Sequence, residues 1–123
     1  MKDEQGKPAV DLRVRTKSFA LRIIRLYSAL PRSVEAQVIG KQVLKSGTSV
    51  GAHYREGFRA RSTAEFISKL EGALMELDET LYWIELLIEA KIVKGNRLEP
   101  LMDEANQLIA ILVTCVKNAK RKR

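Results

Sequence analysis

Residues 63–90 read TAEFISKLEGALMELDETLYWIELLIEA, and this stretch decides the fold. At about 100° per residue, the α-helical step, Phe66, Leu70, Ala73, Leu74, Leu77, Leu81, Ile84 and Ile88 fall on one stripe. Thr63 offers a side-chain oxygen to cap its start. The pattern predicts one long amphipathic helix. Its end is expected near Lys94-Gly95-Asn96, where glycine and asparagine can take left-handed backbone geometry.

The same period recurs on both sides. Before it, Leu12, Phe19, Ile23, Leu26, Tyr27 and Leu30 share a face until Leu30-Pro31-Arg32-Ser33 stops the helix. Next, Ile39, Val43, Ser46, Val50, Tyr54 and Gly57 align, ending at Gly57 or at Arg61-Ser62-Thr63. After it, Leu98, Leu101, Ala105, Leu108, Leu112, Cys115, Val116 and Ala119 align. Short connections imply antiparallel neighbours, so the fold expected is all-α, an up-down-up-down four-helix bundle. A chain of 123 residues is the size of one domain, 1–123, with a lead at 1–10 and a tail at 117–123 expected to be flexible.

Composition removes several function classes. Hydrophobic residues at 46% and charged residues at 30% suit a soluble globular chain rather than a disordered one. No apolar run approaches the roughly 20 residues that span a bilayer. The start MKDEQGKPAVDL lacks the apolar centre of a secretory signal, and the lone Cys115 cannot form an internal disulfide. A cytoplasmic location is therefore expected. No phosphate-cradling GxxxxGK[ST], no GxGxxG and no paired-cysteine metal motif occurs. Cys115, on an apolar face, reads as a buried structural thiol. His53 is the only histidine, and Glu56 three residues on gives a helix-surface pair more readily than a catalytic dyad. The carboxylates Glu71, Asp78, Glu85 and Glu89 recur along one flank, but no Glu-x-x-His faces them. A solvated face or an inter-subunit salt-bridge row is the better reading. The chain is expected to be no enzyme, with no metal and no cofactor.

Charge points elsewhere. The net charge is +7, yet residues 63–100 hold eight acidic against four basic residues, so the rest is strongly basic. Arg15, Arg22 and Arg25 fall within about 80° on the first helix. Lys41, Lys45, Arg55 and Arg59 form an outward stripe on the second, with Arg61 following. The chain closes on Lys120, Arg121, Lys122 and Arg123. Arginine forks fit phosphate oxygens, and clustered positive charge releases counterions from nucleic acid. These twelve residues are the candidate nucleic-acid-binding set. Base-specific reading is not expected, since no zinc finger, RNA-recognition sheet or KH-type loop is visible. Opposite the core stripe of the third helix, Met75, Tyr82 and Leu86 cluster with Trp83 beside them, and Ile24 lies off the first helix's core face. Contiguous exposed apolar residues of this kind suggest a subunit contact.

The order of features resembles a known family. Asp11-Leu12, the Leu30-Pro31 break, Ser49-Val50 leading to Glu56-Gly57-Phe58, Arg59-Ala60-Arg61-Ser62, and Glu65-Phe66 opening a long helix resemble the 23S rRNA intervening-sequence proteins. The accessory proteins of diversity-generating retroelements belong to that group. The resemblance runs from Asp11 to about Lys120, and its most specific part is Glu56 to Phe66. The chain departs from the usual pattern at Gly51-Ala52-His53-Tyr54-Arg55, where many members have Pro-Ala-Asn-Ile-Ala, and at Arg15, where a tryptophan is usual. An added arginine in each place fits a more basic, accessory-type member.

The resemblance implies a homo-oligomer, typically a pentameric barrel of bundles, that binds nucleic acid or a partner without known enzymatic activity. Retroelement accessory members associate with a reverse transcriptase and its template RNA. The function expected here is a basic accessory bundle binding RNA, or DNA, through phosphates. The alternative is an interaction bundle whose basic surface docks an acidic or RNA-bound protein. On either reading SGTSVGAHYREGFRARS, residues 46–62, is a helix end rather than an active site. Gly47 and Gly51 let a neighbouring helix approach, Gly57 eases the exit, and Arg55, Arg59 and Arg61 face a phosphate or partner.

Overall fold

A computed structural model describes residues 11–122. These form four helices: α1 (Leu12–Ser28), α2 (Val34–Phe58), α3 (Thr63–Glu89) and α4 (Gly95–Arg121). The expected flexible lead, residues 1–10, lies outside the described residues, as does Arg123. Three helices start on side-chain caps that satisfy otherwise orphaned N–H groups. The Asp11 carboxylate accepts from the N–H of Arg13 at 3.1 Å and Val14 at 3.3 Å. The Ser33 hydroxyl accepts from Ala36, and Ser62 from Glu65 at 3.1 Å. Ser62, not Thr63, therefore caps α3. Glu65 reaches back to the Arg61 N–H at 3.1 Å, closing a variant of the capping box.

The end of α3 also differs from the expectation. The helix stops at Glu89, and the left-handed residue is Lys91, with φ 61°, rather than Gly95 or Asn96. The Ile92 N–H donates to the Leu87 carbonyl and the Lys91 N–H to that of Ile88, both at 2.9 Å. Those two bonds define a Schellman motif, in which glycine normally takes the Lys91 position. Gly95 instead opens α4, whose cap residue Lys94 makes no side-chain hydrogen bond. Pro100, in the second turn, withholds the donor that the Asn96 carbonyl would otherwise receive.

α1 packs on α2 and α4, α3 packs on the same two, and the backbones of the diagonal pairs do not approach each other closely. The bundle is thus up-down-up-down as expected. Its core repeats every seven residues: Leu70, Leu77 and Ile84 with Ala73, Thr80 and Leu87 on α3; Leu98, Ala105 and Leu112 with Leu101 and Leu108 on α4. A seven-residue repeat keeps one seam facing its neighbours when helices supercoil to the left. A fixed 100° step drifts by roughly 20° per heptad from that seam. The drift explains two misplacements: Ile88 is half-buried while Leu87 is fully buried, and Phe66 is half-buried while Ile67 is buried.

The polar core residues are hydrogen-bonded. Thr80 and Ser46 meet hydroxyl to hydroxyl at 2.8 Å across α3 and α2, and Thr80 also reaches the Glu76 carbonyl. Buried Thr16 donates to the Leu12 carbonyl at 2.6 Å. Small residues set the α1–α2 distance, as the sequence suggested. A Cβ on Gly47 would stand 2.6 Å from the Ile23 side chain, and one on Gly51 3.0 Å from Thr16 Oγ1. Gly57 has a different role from the one expected. It lies inside α2 and would meet Leu70 of α3 at 2.7 Å, so it permits close packing rather than a helix exit.

α1 meets α4 much less closely than it meets α2. Their main tie is polar. Arg15 donates from Nε to Glu104 at 3.0 Å and from Nη2 at 2.6 Å, with Gln107 accepting at 3.1 Å. The Glu104 hydrogen bond raises the Arg15 pKa, against the opposing effect of burial.

Two stability predictions follow from this packing. Gly47→Val is expected to lower unfolding free energy by about 2–3 kcal/mol in urea titration, because fully buried Ile23 has no free volume to enter. Arg15→Ala and Glu104→Ala should each cost about 1–2 kcal/mol, and the double variant less than their sum.

Candidate nucleic-acid interface

The antiparallel path brings the ends of α1 and α3 to the starts of α2 and α4. At that end lies an open cleft of about 720 Å³ between α1 and α4. Its floor is apolar, from Leu26, Leu30, Val93, Leu98 and Leu101. Its rim holds five cations: Arg22 and Arg25 from α1, Lys91 and Lys94 from the α3–α4 connection, and Arg97 from the first turn of α4. No carboxylate lines it, and none of the five has an ion-pair partner among the described residues.

The opposite end carries two smaller depressions. One, of about 490 Å³, lies between the start of α1 and the end of α2, lined by Asp11, Arg13, Val14, Lys17, Leu21, Arg55, Phe58 and Arg59. The other, of about 610 Å³, lies between the start of α3 and the end of α4, with Arg61, Phe66, Cys115, Asn118 and Lys122.

The expected basic set is therefore divided. Arg22 and Arg25 meet at the α1–α4 cleft, and Arg55 and Arg59 at the α1–α2 depression. Arg61 does not join them; it lines the third site together with Lys122. Lys41 and Lys45 are exposed on the outer face of α2, and Arg121 is exposed at the end of α4. Lys120 donates a hydrogen bond to the Glu71 carboxylate at 3.4 Å. Arg15 is the clear correction: it turns inward and spends its fork on Glu104, so it ties two helices together rather than facing phosphate. Periodicity could not show this, because the partner is 89 residues away.

Sequence reasoning missed Lys91, Lys94 and Arg97. They sit in a segment whose average charge is acidic, and averaging concealed them. It also missed Arg13, Lys17 and Phe58. An Arg13 guanidinium lying over the Phe58 ring, 4.7 Å from its centre, is a tertiary contact with no sequence signal.

The apolar strip is divided too. Met75 and Tyr82 on α3 are 67% and 52% exposed, and Ile24 on α1 is 43% exposed, but α1 and α3 are diagonal partners. The two patches thus occupy separate faces. Trp83 and Leu86 are half-buried, with Trp83 packed on the core and edge-on to Tyr82 at 5.0 Å. They belong partly to the monomer's own interior.

His53 is not arranged with Glu56. The Glu56 carboxylate pairs with Lys69 at 2.9 Å, which lowers its pKa. His53 Nδ1 is buried against the backbone of α3 at Gly72 and has no hydrogen-bond partner among the described residues. Nearby, burial and the neighbouring Glu79 hold the Glu76 carboxyl above its usual range, opposed by a hydrogen bond from Ser49. Cys115 is half-buried rather than buried, and burial raises its pKa, which keeps it a thiol. Among the described residues no cluster of histidine, cysteine and carboxylates is placed to hold a metal, and no helix is long and apolar enough to cross a membrane.

Known proteins of this shape place the chain. The 23S rRNA-intervening sequence protein family matches residues 10–114, which span α1 to α3 and most of α4. A crystal structure of a protein of unknown function from the S23 ribosomal protein family, from Bacteroides thetaiotaomicron VPI-5482, is 38% identical. It aligns over 85% of this chain and 97% of its own, with a TM-score of 0.81. No curated protein matches. With the family's match covering most of the bundle, the chain belongs to the 23S rRNA-intervening sequence protein family.

Proposed function

We propose that this protein is a non-enzymatic nucleic-acid-binding bundle that engages phosphates, with RNA as the favoured ligand. The observation that carries the reading is the α1–α4 cleft, with five cations and no carboxylate. One of them, Lys91, is held with φ 61°, where a side chain costs roughly 1–2 kcal/mol and glycine costs none. Local strain kept at a site is a pointer to use rather than to stability. The strained position keeps a cation on the rim at the expense of the helix end. RNA is preferred because the chain resembles accessory proteins that meet a template RNA; a reverse transcriptase carrying such RNA is a partner of the matching chemistry.

Self-association is part of the same reading. The outer flank of α3 presents Met75 and Tyr82 among exposed Asp78 and Glu85, while exposed Lys41 and Lys45 lie near Val38 on the outer face of α2. Unlike faces of this kind pair head to tail between copies, and such contacts close into rings when the rotation permits. A ring, pentameric as in the resembling proteins, would repeat the basic cleft and raise affinity through avidity.

Three measurements test these statements. The triple variant Arg25→Ala, Lys94→Ala, Arg97→Ala should bind a structured RNA more weakly and lower the salt slope of log K by about 2–3. Lys91→Gly should bind more weakly while gaining about 1 kcal/mol of stability, a combination that a purely structural lysine would not produce. Light scattering of wild type should give a multiple of 13.9 kDa, and Tyr82→Glu or Met75→Glu should reduce it. Full-affinity binding by the triple variant would remove the cleft from the interface. No binding at low salt by wild type would assign the cations to docking an acidic or RNA-bound protein instead.

A further inference from the structure

The depression between the start of α1 and the end of α2 has a feature that the larger cleft lacks. The cleft floor is aliphatic, whereas here an aromatic ring, Phe58, stands 48% exposed among cations. The Arg13 guanidinium lies over that ring at 4.7 Å, and its own side chain remains 52% exposed. The Tyr54 ring lies beside that of Phe58, with ring centres 6.3 Å apart and a tilt of 40°. Tyr54 itself is half-buried, and burial raises its pKa, so it stays a neutral phenol. Lys17, Arg55 and Arg59 complete the rim.

One carboxylate, Asp11, shares the depression, but it already accepts two N–H groups as the cap of α1 and stands 3.8 Å from Arg13. Four cations therefore face one engaged anion. Exposed aliphatic residues Val14 and Leu21 extend the apolar floor. A volume of about 490 Å³ lies within the range of small-molecule sites.

We infer that this depression takes an unpaired nucleotide of a single strand, its base stacked on the Arg13–Phe58 pair and its phosphates on Lys17, Arg55 and Arg59. Guanidinium planes and aromatic rings are the two surfaces on which splayed bases stack. A duplex offers no free base face, so the depression distinguishes single strands from duplexes without reading sequence. The inference rests on the phosphate-binding reading above and adds to it a ligand class and a place. No hydrogen-bonding group is needed to select a base, and every base has a stacking face.

The test compares an oligouridylate with the same strand made abasic, and with an RNA duplex, by fluorescence anisotropy at low salt. The intact strand is expected to bind about 5- to 100-fold more tightly than the abasic one. Phe58→Leu keeps an apolar side chain at a half-exposed position, and Arg13→Lys keeps the charge; each should erase that difference while leaving the salt slope unchanged. Equal affinity of wild type for intact and abasic strands overturns the inference and leaves phosphate binding standing. So does a Phe58→Leu variant that keeps the full preference. A fall in oligomer mass for Phe58→Leu in light scattering also overturns it, since the ring would then be a subunit contact. Failure of every strand to bind at low salt overturns the phosphate reading and this inference together.

Discussion

Ile23 occupies the space where a Cβ on residue 47 would stand, and much of the molecule follows from that one contact. Without a side chain at Gly47, and with only Thr16 opposite Gly51, α1 lies close along α2. α1 has 17 residues against 25 to 27 in the others, so it cannot also fill the space beside α4. The gap left between α1 and α4 is bridged near the start of α1 by Arg15 and Glu104 and open at the end of α1. The basic cleft is that open end. Tight packing on one side of α1 thereby creates the concave surface on the other.

Charge is distributed to suit this shape. α3 carries the acidic residues on its outer flank, away from the cleft, while cations gather where helices end. Lys91 and Lys94 follow the carbonyl end of α3, where positive charge is favoured by the helix dipole. Arg55 and Arg59 stand in the same relation to the end of α2. The cleft also takes in the start of α4, through its cap residue Lys94 and first-turn Arg97, so a carbonyl end and an amide end meet there beneath the side-chain cations.

Much of the bundle was legible because a helix announces its buried face by period. Phe19, Ile23, Val43, Val50, Leu70, Leu77, Ile84, Leu108 and Leu112 were each read as core and are fully buried. Errors gathered at α3, where supercoiling moved Leu87 inward in place of Ile88, and at its ends, where Ser62 and Lys91 took the roles given to Thr63 and Gly95. The candidate interface was only half legible. Clusters within one helix, such as Arg22 with Arg25 and Arg55 with Arg59, survived folding, while sets that required two helices could not be assembled in advance.

By itself, then, the sequence determined that there are four helices, which stripe of each is apolar, and that their order is antiparallel, because period, breaks and short connections are local properties. It also determined the excess of positive charge outside residues 63–100. Only the tertiary structure decided which cations face solvent together. Arg15 and Arg22 are seven residues apart on one helix, yet the first is spent on Glu104 and the second lines the cleft with Lys91, Lys94 and Arg97. The physical reason is that a side chain's availability depends on what a neighbouring helix brings within about 3 Å of it, and residues of α4 reach α1 only once the bundle has closed.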